Sequence, residues 1–217
     1  WSRGIFEEMR IGEVDAVNVT ISYHENFQET VNNLVSWYQI FEENNDLIFQ
    51  GFSLEDILLA NDINKTAIFF GFQNPSSIQQ DIGLLKVWHR LGIRFMQLTY
   101  NNQSLLASGC NEKNDNGISI MGKKVIKEMN SLGIVVDMSH AGEKSTLDAI
   151  DLSEKPIAIT HANPSSWCNV KRNVSNEVLK KLSQSGGMIG FSLYPHHLLK
   201  GSLCTLESFC KMVIDVV

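Results

Sequence analysis

The sequence lacks long apolar runs and basic clusters, and its cysteines are few. No stretch of 18 apolar residues occurs in the 217-residue chain, which argues against a transmembrane helix. The net charge of −6 and the scattered lysines and arginines argue against a general nucleic-acid binder, because phosphate binding needs concentrated positive charge. Four cysteines without a CxxC pair do not make a disulfide scaffold. Unpaired thiols in a reducing compartment are the better interpretation, which favours the cytoplasm.

The composition is that of an ordinary globular protein, with 43% apolar and 19% charged residues. No linker or low-complexity segment divides the chain, so we expect residues 1–217 to form a single, partial domain. The chain begins at Trp1 rather than Met and stops inside a predicted helix. We therefore expect a piece of a longer protein, which leaves a secreted or membrane-anchored location open.

Apolar, β-branched runs alternate along the chain with segments of helical period, beginning with a helix over 27–43. Six runs are predicted strands: 14–22, 66–72, 95–99, 134–138, 156–160 and 187–193. This alternation predicts an α/β fold with a parallel sheet covered on both faces. Two architectures fit this pattern, an open doubly wound sheet and a (β/α)₈ TIM barrel. Neither the GxGxxG motif of a Rossmann fold nor a P-loop is present.

The positions of reactive side chains favour the barrel. Gln73, Tyr100, His140 and His161 each come just after a predicted strand, and barrel enzymes gather their chemistry at that end of the strands. We therefore predict an incomplete TIM barrel with about six of its eight β/α units.

His140 and His161 are the strongest local candidates for chemistry. They lie 21 residues apart, one β/α unit, and neighbouring strand ends are about 4.8 Å apart, so both imidazoles are expected to reach one cation. Either histidine alone is better explained as a packed, hydrogen-bonded core residue. Together they predict a metal site. Asp137 is expected either to orient an imidazole or to be a polar residue of the barrel interior.

A cationic side chain follows the fifth predicted strand. Arg172, beside Asn173, is placed to grip a substrate carboxylate, although a surface arginine that caps the next helix explains it equally well. Serine-hydrolase chemistry lacks its G-x-S-x-G motif. His196 and His197 follow the sixth predicted strand and stay open as further candidates.

Several ordered motifs resemble those of one known family. The resemblance runs from about residue 14 to 195, and its motifs are GFQN (71–74), IGLL (82–85), LGIRFMQLT (91–99), VVDMSH (135–140), THAN (160–163) and RNV (172–174). Together they resemble the membrane (renal) dipeptidase family of zinc metallopeptidases, peptidase family M19.

The resemblance implies a (β/α)₈ barrel of the metal-dependent hydrolase type that cleaves small dipeptides at a two-zinc site. For this chain we expect one or two zinc ions. His140 and His161 would be zinc ligands, while Arg172 and Asn173 would bind the substrate. Zinc would activate a water and polarise the scissile carbonyl. A homodimer is a candidate assembly.

Two positions depart from the family pattern. Gln73 stands where the family has a metal-bridging glutamate, and Tyr100 stands where it has a histidine near the scissile carbonyl. Gln73 is still predicted as a metal ligand, and Asp137 is predicted as a catalytic residue. Tyr100 is also predicted as catalytic, because its phenol can donate a hydrogen bond to an oxyanion. The family's first-strand His-x-Asp pair and last-strand aspartate fall outside these 217 residues.

Three functions follow from this pattern. The favoured one is a dipeptidase-like metallohydrolase. The second is a weakened or inactive ligand-binding relative, which the neutral amide of Gln73 supports. The third is a barrel amidohydrolase acting on another small amide or lactam.

Overall fold

The computed structural model describes residues 1–216 and has helices and strands in alternation. The helices are α1 Arg3–Ile11, α2 Phe27–Glu43, α3 Leu54–Asp62, α4 Leu84–Arg90, α5 Ile120–Leu132, α6 Glu143–Leu152, α7 Asn176–Gln184 and α8 Leu206–Ile214. The strands are β1 Ala16–Ser22, β2 Ile48–Gln50, β3 Thr66–Phe72, β4 Ile93–Gln97, β5 Val135–Asp137, β6 Ala158–Ala162 and β7 Met188–Phe191. Short 3₁₀ helices lie at Pro75–Ile78, Pro195–His197 and Gly201–Leu203.

The chain divides into two compact units. The first contains residues 1–96 and 132–134, and the second contains residues 97–131 and those from 135 onward. In the first unit β3 pairs in parallel with β1, β2 and β4. Every residue of β3, TAIFFGF, is buried, as expected for a parallel strand that is covered on both faces.

Helix α2 covers part of the first unit's core. A capping box starts it, in which Asn26 accepts from the backbone of Glu29 and the Glu29 carboxylate accepts from the backbone of Asn26. Its buried face includes Leu34 and Trp37, and the Trp37 ring packs 5.9 Å from that of Phe70 on β3. Apolar residues at helical spacing thus join α2 to the sheet.

In the second unit β5, β6 and β7 run parallel. Asp137 of β5 pairs with Ala158 of β6, which pairs in turn with Met188 of β7. A long loop over residues 98–119 precedes α5. Parallel strands place their carboxyl ends at one edge, where His140 lies in the loop after β5. His161, expected just after a strand, is the last residue but one of β6 itself.

The parallel α/β class predicted from the sequence is confirmed, and α2 and β3 have the predicted bounds. The strand predicted at 95–99 begins two residues earlier, at Ile93. The helix predicted from the apolar positions between 78 and 88 is divided, because Gln79 takes a left-handed φ of 50° and ends the 3₁₀ turn before α4 begins.

Two elements were not predicted. Helix α1 and the three-residue strand β2 are too short or too polar to give a clear period. The helix predicted at 205–217 is α8, and Val217 lies outside the described residues. No helix within residues 1–216 combines the length and the apolar character that crossing a membrane requires.

Candidate metal centre

Two imidazoles meet at the ends of β5 and β6. The Nε2 atoms of His140 and His161 lie 2.9 Å apart, with the two rings inclined at 61°. His140 is 6% exposed and His161 is half-buried. The parallel pairing of β5 with β6 brings the two residues to the same edge, as the spacing of one β/α unit predicts.

The other ring nitrogen of His140 contacts an amide oxygen. His140 Nδ1 lies 2.7 Å from Asn101 Oδ1. An amide oxygen can only accept a hydrogen bond, so Nδ1 carries the hydrogen and the Nε2 lone pair faces His161. Tyr100 stacks on the same imidazole, with ring centroids 4.1 Å apart.

The second imidazole is held through a hydroxyl. His161 Nδ1 lies 2.8 Å from Thr160 Oγ1, and that hydroxyl donates to Asp137 Oδ2 at 2.6 Å. Because the hydroxyl hydrogen goes to the carboxylate, Thr160 Oγ1 accepts from His161 Nδ1. The Nε2 lone pair of His161 therefore faces His140.

Asp137 joins the two strand ends. Its carboxylate, 3% exposed, accepts five hydrogen bonds. The donors are the backbone N–H groups of Ser139 and Thr160, the hydroxyls of both residues and Gln97 Nε2. These contacts occupy the carboxylate within the protein, and Asp137 reaches His161 through Thr160. Of its two expected roles, the geometry favours orienting an imidazole; a direct catalytic role stays a prediction.

Arg172 bridges the backbone of the same two strand ends. Its Nη1 donates to the carbonyl oxygen of Ser139, and its Nη2 donates to the carbonyl oxygen of His161 at 3.1 Å. These bonds use two of the five guanidinium N–H groups. Arg172 also borders a cavity of about 340 Å³, together with Ser139 and Asn173.

The side chain of Asn173 is engaged with backbone groups. Its Oδ1 accepts from the backbone N–H of Asn163, and its Nδ2 donates to the carbonyl oxygens of Cys168 and His197. These contacts fix the loop that carries Arg172. Its expected contact with substrate stays a prediction.

Burial and positive charge keep both imidazoles neutral. Burial, followed by the nearby Arg172 guanidinium, lowers the pKa of His140 to about 2. Burial also lowers the pKa of His161, with Asp137 opposing and Arg172 reinforcing the change. Neutral imidazole is the form that binds a metal, so both Nε2 lone pairs are available near pH 7.

Gln73 belongs to the first unit, where it follows β3. Its Nε2 donates to Thr20 Oγ1 at 2.8 Å, and its backbone N–H donates to the carbonyl oxygen of Ser22. These contacts fix Gln73 beside the end of β1. Its role as a metal ligand stays a prediction.

Sequence reasoning did not single out Asn101, Ser139 or Thr160. Each is next to a candidate that it did identify, yet nothing in an isolated Asn, Ser or Thr says which atom it will contact. Polar side chains beside predicted ligands are the available signal, because metal-binding histidines usually donate their second N–H to a nearby acceptor.

Two donors converge at the centre. Within residues 1–216 no group of three or more His, Cys, Asp or Glu side chains is placed to hold a metal ion. The two neutral imidazoles, each with an unprotonated Nε2, fit two positions in the coordination shell of one ion.

Comparison with known proteins points to one family. The profile of "Membrane dipeptidase (Peptidase family M19)" matches residues 7–217. Dipeptidase tcpJ of Claviceps purpurea is 27% identical over 197 residues, which cover 90% of this chain and 45% of that protein. The chain thus spans less than half the length of this curated relative.

Solved structures share the fold over the whole chain. An amidohydrolase from Pseudomonas aeruginosa is 37% identical, with a TM-score of 0.96 over 100% of this chain and 66% of its own. A metallopeptidase of family M19, dipeptidase AC, has a TM-score of 0.90 at 16% identity, covering 100% of this chain and 73% of its own. This similarity confirms the predicted fold class, an α/β, incomplete (β/α)₈ barrel.

Proposed function

This chain belongs to the membrane dipeptidase family, peptidase family M19, and we propose that it acts as a metal-dependent hydrolase that cleaves the peptide bond of small dipeptides. The relative from Claviceps purpurea is itself named a dipeptidase. The observation that carries the proposal is the 2.9 Å approach of His140 Nε2 to His161 Nε2.

That approach fits two nitrogens that would bind the same cation. Asn101 and Thr160 accept the Nδ1 hydrogens, so both Nε2 atoms are unprotonated, and two such lone pairs 2.9 Å apart repel each other unless both bind a cation. A proton is disfavoured there, because burial and Arg172 lower the pKa of His140. A metal ion satisfies both lone pairs, and imidazole is a common ligand of zinc.

His140 and His161 would hold the metal, and the amide oxygen of Gln73 is a candidate neutral ligand. The bound metal supplies Lewis acidity, which activates a water and polarises the scissile carbonyl. Asp137 keeps His161 in its binding tautomer through Thr160.

Other side chains would act on the substrate. Tyr100, stacked on His140, would donate a hydrogen bond to the developing oxyanion. Arg172 would bind the substrate carboxylate with the N–H groups that do not contact Ser139 or His161. Asn173 would support that contact by holding the loop in place.

We further propose zinc as the metal, with one or two ions, a cytoplasmic location and a homodimer as the candidate assembly. Zinc follows from the family resemblance and the imidazole donors. The cytoplasm follows from the four cysteines, all of which are free thiols.

A second candidate function is hydrolysis of another small amide or a lactam. The observation in its favour is that the Pseudomonas aeruginosa structure is an amidohydrolase and shares 37% identity, against 27% for the dipeptidase tcpJ. A third candidate, a weakened ligand-binding relative, is supported by the neutral Gln73 at the family's glutamate position.

A substrate panel separates these functions. Dipeptides, small amides and lactams are offered to the chain before and after chelation, and to His140→Gln and His161→Gln, with His89→Gln on α4 as the matched control. The proposal expects dipeptide hydrolysis that chelation and both site variants reduce at least 100-fold, while His89→Gln retains it. Turnover of amides or lactams alone favours the second function, and no metal-dependent turnover of any substrate favours the third.

A further inference from the structure

We propose that Asn101 is a positioning residue that holds His140 in the tautomer able to bind a cation. This inference rests on the proposed function only in taking His140 as a metal ligand. It assigns a role to a residue in the loop after β4 that does not itself contact substrate or metal.

The contact is short and its direction is fixed. Asn101 Oδ1 lies 2.7 Å from His140 Nδ1, and the Cys110 thiol donates to the same oxygen at 3.5 Å. The thiol contact identifies this atom as the amide oxygen, which can only accept a hydrogen bond. His140 Nδ1 must then carry the hydrogen, which leaves Nε2 free to bind a cation.

The backbone of Asn101 is held in an unusual conformation. Its φ is 63°, in the left-handed region that asparagine tolerates better than most residues. Its carbonyl oxygen accepts from the backbone N–H of Asn111 at 2.8 Å. A Cβ at Gly109 would lie 2.1 Å from the carbonyl carbon of Asn101, so the two segments are in direct contact.

The same loop also holds the backbone of His140. The backbone N–H of Cys110 donates to the carbonyl oxygen of His140 at 3.0 Å. The segment from Gly109 to Asn111 thus contacts the main chain of both partners, Asn101 and His140. These backbone hydrogen bonds hold Asn101 and His140 at the separation that allows the 2.7 Å contact between their side chains.

In the alternative tautomer His140 could not bind a metal through Nε2. If the hydrogen moved to His140 Nε2, that N–H would donate to His161 Nε2 across the existing 2.9 Å separation. The pair would then be satisfied without a metal, and His140 would have no lone pair directed at it. By accepting from Nδ1, Asn101 favours the tautomer of His140 that has its hydrogen on Nδ1 over the one that has it on Nε2.

Nitrogen-15 NMR of the imidazoles in the metal-free chain tests the inference, with the His140 signals assigned through His140→Gln. Asn101→Gly removes the acceptor and keeps the left-handed backbone accessible. Asn101→Asp keeps an acceptor, and asparagine and aspartate tolerate the same φ. Asn102→Ala, at the exposed neighbouring position, is the matched control.

We expect His140 to carry its hydrogen on Nδ1 in the wild type, Asn101→Asp and Asn102→Ala, and on Nε2 in Asn101→Gly. Zinc affinity, measured by competition with a chromogenic chelator, should fall about 10- to 100-fold in Asn101→Gly, the usual effect of losing a partner of a ligating histidine. Asn101→Asp should retain affinity within a few-fold.

The inference is overturned if the tautomer of His140 in Asn101→Gly is that of the wild type, or if Asn101→Asp loses the Nδ1–H form. The tautomer is read without metal. A wild-type chain that shows Nδ1–H at His140 but binds no zinc would therefore contradict the proposed function and leave the assignment of Asn101 intact. Should Asn101→Gly not fold, Asn101→Ala removes the same acceptor, and a wild-type tautomer of His140 in that variant overturns the inference.

Discussion

Arg172 donates a hydrogen bond to the backbone oxygen of Ser139, the residue directly before His140. Its second guanidinium nitrogen donates to the backbone oxygen of His161, so one side chain holds the main chain at both candidate ligands. A planar guanidinium can make these two bonds and still present N–H groups to a carboxylate, whereas a lysine ammonium has no such fork.

We therefore predict that Arg172→Lys raises KM for dipeptides at least tenfold, the equivalent of about 1.4 kcal/mol of lost binding. Steady-state kinetics measure this change, and Lys171→Arg at the exposed neighbouring position is the control. An unchanged KM in Arg172→Lys would remove Arg172 from substrate binding and leave it as a support for the two strand ends.

Asp137→Asn should destabilise the chain. An asparagine side chain has one accepting oxygen and one NH₂ group, so several of the five donors around Asp137 would lose their partner in a buried site. We expect the free energy of unfolding to fall by about 3 kcal/mol, as measured by urea denaturation. Asp151→Asn, which removes an exposed ion pair with Lys181, should cost less than about 1 kcal/mol.

If Asp137→Asn and Asp151→Asn lower the free energy of unfolding by the same amount, the hydrogen bonds of Asp137 do not stabilise the strand ends. We also expect Asp137→Asn to weaken zinc binding, because Thr160 would no longer be fixed as an acceptor for His161 Nδ1.

Gly109→Ala should disturb the loop that holds Asn101. The added Cβ would meet the Asn101 carbonyl carbon at 2.1 Å, so the backbone must move, at a cost of about 1–3 kcal/mol in unfolding free energy. Gly4→Ala in α1 is the matched control, since nothing lies within 4 Å of its Cβ. Thermal melts and zinc affinity should both decrease in the first variant and stay near wild type in the second.

The stability of the metal-free chain should decrease with acid between about pH 6.5 and pH 4. His197 is buried against Ser192, and burial, followed by Arg172, lowers its pKa to about 4. Because the unfolded chain binds this proton at a higher pH than the folded chain does, stability from His197 is present above pH 6.5 and is lost as the pH falls through 4.

His197→Gln should therefore reduce the slope of the unfolding free energy against pH over this interval, as measured by denaturation at several pH values, while the buried His140 and His161 keep part of that slope. His196→Gln, at the exposed neighbouring position, should keep the wild-type slope. Equal slopes in the two variants would mean that His197 is not the group responsible.

Much of the fold could be predicted because its signals are local. The continuous apolar run of β3 and the periodic face of α2 identified both elements with their bounds. The division of the helix before β4 could not be predicted, because it depends on the left-handed φ of Gln79. The spacing of apolar residues carries no information about that backbone angle.

The site was predictable to the extent that strand ends place residues together. His140 and His161 were paired from their spacing alone, and the structure brings their Nε2 atoms to 2.9 Å. The hydrogen-bond partner of each ring was not predictable. Asn101, for example, contacts His140 although 39 positions separate them in the sequence. Such contacts depend on tertiary geometry and not on local pattern.

The central claim is that His140 and His161 together bind a metal ion. The most direct measurement is the metal content of the purified chain by inductively coupled plasma mass spectrometry, for wild type, His140→Gln, His161→Gln and the control His89→Gln. We expect at least one zinc per chain in the wild type and in His89→Gln, with loss of that zinc in both site variants. Equal metal content in all four proteins, or none in the wild type after zinc loading, would contradict it.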